Sequence, residues 1–232
     1  RRPNCFGGEE WYDYCNAEVA NPGLPEEFIS WWSSPDAVDL LKKRQPTRSN
    51  YDTHLDPIFL PKFVRPPWIN QDQQDQPYNL AALRELTSTP LTFNPKLFEF
   101  FLRIPAERAC WLVFRKNVVL RGNSGSKQTD YIKRLNNQFG AGYELKSSAL
   151  DLATVAAVRH LFKQERYLGD ATGMEGRLTR ALCDSYDQKG AFQPTVGACA
   201  GITGVLEISE ECVTDPDDKD IGVALIRKFT CT

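Results

Sequence analysis

The groups in this chain whose types could carry chemistry are two histidines, a few paired acids, a glycine–serine loop, an acidic turn and seven cysteines. His54 and His160 are the two histidines. A serine or cysteine nucleophile needs an imidazole within hydrogen-bond reach, so each is a candidate base. His54 stands two residues before Asp56 in an extended stretch, and His160 follows an apolar run on an expected helix. Glu9 and Glu10 sit beside Trp11 and Tyr12, a composition found at sugar sites, and Trp31–Trp32 adds to it. Glycoside hydrolysis needs two carboxyls at a defined separation. Glu10 is therefore the carboxylate candidate of a hydrolase, with Glu210–Glu211 a similar pair. At each position the ordinary reading is favoured: a turn contact for His54, a packed imidazole for His160, solvated acids beside packed aromatics for Glu10.

Three further sets complete the inventory. The segment 122–127, with Gly122, Gly125, Ser126 and Lys127, lies between an expected strand and an expected helix. Backbone amides at such a junction can face an anion, with Lys127 adding charge. It lacks the spacing of a phosphate-binding Walker loop, and a loop with a serine cap is the favoured reading. Asp215, Asp217 and Asp220 form an acidic turn whose oxygens suit calcium, but no glycine or glutamate stands where an EF-hand requires one. A solvated turn is favoured. Cys110 lies far from the cysteines near both termini and is the candidate for covalent cofactor attachment, against a buried thiol. The identity of any cofactor is left open, with Cys110 or the 122–127 loop as its place.

Composition narrows the function classes. The net charge of −2 argues against nucleic acid as the main partner, because phosphate binding requires a basic field. No stretch approaches the roughly 18 apolar residues that span a bilayer, so a soluble chain is expected. The cysteines show no CxxC pair and read as disulfides, which favours an oxidising compartment, secreted or lumenal. The chain opens on Arg1, which fits a processed N-terminus and leaves an organelle after transit-peptide removal as the alternative.

The elements that must position these groups divide unevenly. Thirteen of fifteen prolines fall between Pro3 and Pro105. Proline fixes φ and removes an amide donor, so residues 1–105 should be loops and short helices. Ser34-Pro35-Asp36 starts a helix to Arg44, Asn79 caps one through Leu86, and Asn94-Pro95 starts one to Ile104. The aromatic stretch Tyr51 to Trp68 must lie on its own core or on a partner. Residues 106–232 are more regular. A strand from Cys110 to Arg121 has a polar bend, and helices follow at 129–139, 149–166 and 173–185. Ala149 to Val158 is apolar on nearly every face, as a buried central helix would be. Strands are expected at 195–199 and 202–212, with 204–231 an antiparallel hairpin.

The fold class is α+β, a central buried helix with a small antiparallel sheet in the C-terminal half, and two segments, 1–105 and 106–232. The function expected is a non-catalytic structural or interaction subunit using its N-terminal half to bind a protein partner. A secreted hydrolase of polysaccharide or nucleic acid, and a ligand or covalent-cofactor carrier, are the alternatives.

Overall fold

The computed structural model describes residues 4–20, 22–35, 54–66, 74–87, 91–93, 102–116, 118–145, 147–163, 179–180, 192–198, 206–212 and 222–231. Among them lie five helices: α1 (Gly8–Cys15), α2 (Glu26–Ser33), α3 (Leu80–Thr87), α4 (Gly125–Phe139) and α5 (Ala149–Lys163). The strands are β1 (Ile58–Leu60), β2 (Phe63–Val64), β3 (Gln76–Pro77), β4 (Leu91–Phe93), β5 (Cys110–Phe114), β6 (Thr179–Arg180), β7 (Phe192–Ala198), β8 (Leu206–Cys212), β9 (Gly222–Val223) and β10 (Ile226–Thr230). The fold is α+β.

Helix α5 is buried along its whole Ala149–Val158 stretch. That stretch has no solvent face because the helix contacts strands of two different sheets, β1 on one and β7 and β8 on the other, as well as α3. Its start is set by a reciprocal box. The Ser148 hydroxyl accepts the Asp151 amide at 3.1 Å, and the Asp151 carboxylate accepts the Ser148 amide at 2.9 Å.

The first sheet has the order β1-β5-β10, antiparallel throughout. Cys-Trp-Leu-Val-Phe of β5 is buried at every position, as a middle strand covered on both faces must be. The register places Phe59, Trp111 and Phe229 in one cross-strand row, and Ile58, Leu112 and Lys228 in another. Because side chains alternate along a strand, these rows face opposite ways. Lys228 meets Asp151 of α5, whereas Phe229 meets Phe28 and Trp31 of α2. The outer edge of β1 is covered by Phe6, which exchanges two backbone hydrogen bonds of 2.8 Å with Pro57 and Phe59. The second sheet runs β4-β8-β7-β6-β9, with β4–β8 and β6–β9 parallel.

Seven aromatic residues of the first half are inside this architecture, while Tyr12, Tyr14 and Phe63 are exposed. Phe6, Trp11, Phe28, Trp31, Trp32, Phe59 and Tyr78 are buried in one cluster with Trp111, Val155 and Phe229. For these residues the choice between own core and partner falls to their own core. Helix α3 forms where its cap implied, with the Asn79 side chain accepting the Ala82 amide at 2.9 Å. Helix α4 begins four residues before the expected 129 and ends at Gly140, whose left-handed φ of 63° closes the last turn.

Three expectations are corrected. No hairpin joins β8 to β10: β8 pairs with β7, and β10 pairs with β5. The apolar run from Ile221 breaks at Ala224–Leu225, so β9 joins β6 in one sheet and β10 joins β5 in the other. Inside the helix expected at 173–185, Thr179–Arg180 is a strand between β7 and β9. Helix α2 was not foreseen, because the cap and proline at 34–35 drew the helix start past it; Trp31 and Trp32 are instead its last turn. The helices expected from Ser34 to Arg44 and from Asn94 to Ile104 fall largely outside the described residues, as does the acidic turn with Asp215, Asp217 and Asp220.

Candidate functional site

The fold gathers one set of chemically capable side chains from five separate places. The backbone of His54 bridges to Arg115 and that of Leu55 bonds to Phe114, so the approach to β1 is held beside β5. His54 is thereby fixed at 2% exposure under α2. Its ring stands 5.1 Å from Trp31 and 6.5 Å from Trp32. Its Nε2 is 3.1 Å from the hydroxyl of Tyr143, an oxygen and nitrogen that share one proton between them.

Tyr143 is positioned from the far side. The Asn136 side chain brackets its backbone, donating to the Tyr143 carbonyl at 2.6 Å and accepting the Tyr143 amide at 2.8 Å. The Glu144 amide then bonds to the Ile226 carbonyl of β10 at 2.8 Å. Arg227 completes the set. Its guanidinium lies 5.0 Å from the Trp31 ring centre and 4.8 Å from that of Phe229, within cation–π range. It donates to the Ala141 carbonyl at 3.1 Å and to Glu27 at 3.2 Å. Gly142 makes room for it. Its φ is +65°, and a Cβ there would lie 2.8 Å from the guanidinium carbon.

Beside this cluster runs an open cleft of about 580 Å³ lined by Asn136, Gly140, Gly142, Tyr143, Glu144 and Leu145. Glu144 and the buried Tyr143 line it, and His54 does not. The amide of Asn136 is engaged by the loop it brackets. The arrangement joins α2, the His54 segment, the 140–145 loop and β10, and its polar contacts hold those pieces together.

The other candidates lie elsewhere. Glu10 accepts the Gly7 amide at 2.7 Å and so closes the first turn of α1. His160 is half-buried on α5, one turn before the helix end. Asp56 pairs with Arg159 at 3.1 Å and Lys163 at 3.7 Å. In the 122–127 loop, Gly122 has φ +69°, Gly125 is the first residue of α4 and Lys127 is exposed. Gln128 fills the loop from inside, donating to the Leu120 and Asn123 carbonyls at 3.3 and 3.1 Å. The Ser124 hydroxyl stands at the cap position but turns to the Ser126 hydroxyl, 3.0 Å away.

Cys110 is buried in β5 at 4% exposure. Burial pushes its thiol up to about 12, the nearby Asp151 carboxylate adds to that, and the Lys228 ammonium opposes it. Burial likewise raises Cys15 to about 12, and burial with Glu10 and Asp56 raises Cys5 to about 12. The thiolate is the attacking form, so these groups rest in their least nucleophilic state. Cys15, Cys110 and Cys231 carry free thiols. Among the described residues no group of three or more acid, histidine or cysteine side chains is placed to hold a metal ion, and no helix is long and apolar enough to cross a membrane.

The residues that sequence reasoning missed are Arg227, Tyr143 and the Asp151–Lys228 pair. A signal for them existed. Two cations inside the apolar strand 221–231, and one acid inside the apolar helix, each had to find a partner once buried. No protein-family model, curated protein or solved structure matches this chain.

Proposed function

We propose that this chain is a non-catalytic structural or interaction protein, a subunit that binds a protein partner through its first 105 residues. One observation carries the reading. Six large apolar side chains are exposed among the described residues, and five of them, Tyr12, Tyr14, Ile29, Phe63 and Ile104, precede residue 105. Phe6, Trp11, Phe28, Trp31, Trp32, Phe59 and Tyr78 of that half are already consumed by the core. What remains outside is a limited apolar set on short elements, the kind of anchor that interfaces use.

The chemically capable groups support the same reading. His54 is spent on Tyr143, Glu10 on the start of α1, and the buried thiols are held protonated. The test is the mass of the native assembly. The chain purified gently from the cells that make it should run with a partner, and a Tyr12→Ser/Ile29→Ser/Phe63→Ser variant should run alone with unchanged circular dichroism. A chain that is monomeric in its native extract defeats the proposal. So does turnover in a polysaccharide or nucleic-acid hydrolysis screen that is lost in His54→Ala or Glu10→Gln.

A further inference from the structure

We infer that the exposed faces of α1 and α2 are docking surfaces, and that the partner segments seated on them are basic, rich in lysine and arginine. This rests on the interaction reading above and names the partner's chemistry.

Residues 4–35 contain six acids and no lysine, arginine or histidine, a local charge of −6 within a chain of net −2. The fold turns much of that charge outward together with apolar side chains. On α1, Glu9, Tyr12 and Asp13 stand at i, i+3 and i+4 and are all exposed, so they share one helix face. On α2, Glu26 and Ile29 stand at i and i+3 and are both exposed. Tyr12 is 56% and Ile29 52% exposed. Tyr14, 47% exposed, is seated edge-on against Phe162. These rings are held by helices whose other faces are locked in the core through Trp11, Phe28, Trp31 and Trp32.

The chain's own cations neutralise part of this surface only. Arg227 reaches Glu27 at 3.2 Å and Arg65 reaches Glu18 at 3.8 Å. Among the described residues, Glu9, Asp13 and Glu26 have no ion-pair partner. A tyrosine ring between carboxylates suits a guanidinium or ammonium twice over. The ring face attracts the cation, and the carboxylate takes its N–H donors. The same charge repels phosphate, so nucleic acid, phosphopeptide and anionic lipid are disfavoured occupants.

The test uses the full chain and two dye-labelled decapeptides, one rich in lysine and arginine, the other with glutamate at each cation. Anisotropy should show binding of the basic peptide alone, weakening as salt rises. Reversing the face with Glu9→Lys/Asp13→Lys should weaken it about tenfold or more, and Tyr12→Ser a few-fold. Asp130→Lys, an exposed acid on α4, should leave it unchanged. The neutral pair Glu9→Gln/Asp13→Asn gives the same reading should the reversed variant misfold. Equal binding of both peptides, or equal loss from Asp130→Lys, overturns the inference. Self-association abolished by the reversal also overturns it, because the occupant is then a second copy. An assembly that forms natively yet survives the reversal removes the basic partner and leaves the interaction reading standing; the absence of any native assembly removes the interaction reading itself.

Discussion

The two faces of the β1-β5-β10 sheet are packed in different ways. One face carries Phe59, Trp111 and Phe229 and is covered by aromatic side chains from the N-terminal segments. Its neighbours meet as rings: Phe28 and Phe229 at 5.1 Å edge to face, Phe28 and Trp32 stacked at 5.5 Å, with Arg227 laid between Trp31 and Phe229. The other face is covered by α5, whose buried surface is alanine, leucine and valine. There the polar groups are few and paired: Asp151 with Lys228 at 2.7 Å, and Thr154 with Tyr78 at 2.8 Å. Large rings bury much area on short, proline-broken chain, where regular backbone packing is not available. Small residues let a helix come close to two sheets at once. The aromatic face therefore depends on the size of its side chains, and the α5 face on the completeness of its few polar pairs.

The largest expected effect breaks the aromatic side. Trp11 is fully buried and its indole N–H donates to the Phe59 carbonyl at 2.9 Å. Trp11→Ala should cost about 4 kcal/mol in chemical denaturation. Trp11→Phe should recover roughly half, since most of the loss is buried area. A full recovery would mean that the hydrogen bond is immaterial.

The matching experiment on the α5 side is Asp151→Ala. It leaves the Lys228 ammonium without its carboxylate and opens the Ser148 box. A loss of about 3 kcal/mol is expected, at the low end for a broken buried pair because Lys228 keeps some water. Asp151→Asn, which keeps the box but not the charge, should lose less.

Alkaline pH tests the buried thiols. Cys15 and Cys110 are raised by burial from 9.0 to about 12, so the unfolded chain ionises first as pH climbs. Their contribution is complete below about pH 9 and is lost as pH rises toward about 12, at about 1.4 kcal/mol per unit for each thiol. Lys228 acts with the same sign. Burial pulls its ammonium down, but Asp151, by charge and hydrogen bond, together with Cys110 and Glu144 more than offsets this and the net shift is upward. The urea midpoint should therefore fall between pH 9 and pH 11, and fall less in Cys15→Ala/Cys110→Ala compared with its own pH 7 value.

Two smaller effects sharpen the picture around Arg227. Gly142→Ala forces a side chain into a left-handed backbone and against the guanidinium, for about 1–2 kcal/mol. Tyr143→Phe removes the hydrogen bond to His54 and should cost about 1 kcal/mol. Thermal unfolding of both variants beside Trp11→Ala would show whether the ring layer responds as one unit.

Much of the helical half was legible because its signals are local. Asn79 three residues before Ala82 is a cap wherever the chain goes, and Gly140 after an amphipathic run ends a helix by its own conformational freedom. The solid apolar run at 149–158 implied burial on every side. The His54 cluster was not legible. Its members stand at positions 27, 31, 54, 143 and 227, and separations of that size carry no periodicity to read. The hairpin at 204–231 failed for a related reason. Its strands alternate well enough to pair, but β10 buries more by joining β5, where Ile226 and Phe229 enter the main core.

By itself the sequence determined the α+β class, the cap of α3, the stop of α4 and the central burial of α5, since these follow from backbone preference and from apolar spacing along a few turns. Only the tertiary structure decided that Phe6, Trp11, Phe28, Trp31, Trp32, Phe59 and Tyr78 enter the chain's own core, that Arg227 and Asp151 each have a partner waiting, and which acids and rings are left facing water. Those outcomes depend on which distant strands meet, and strand pairing is settled by total burial and not by any local preference.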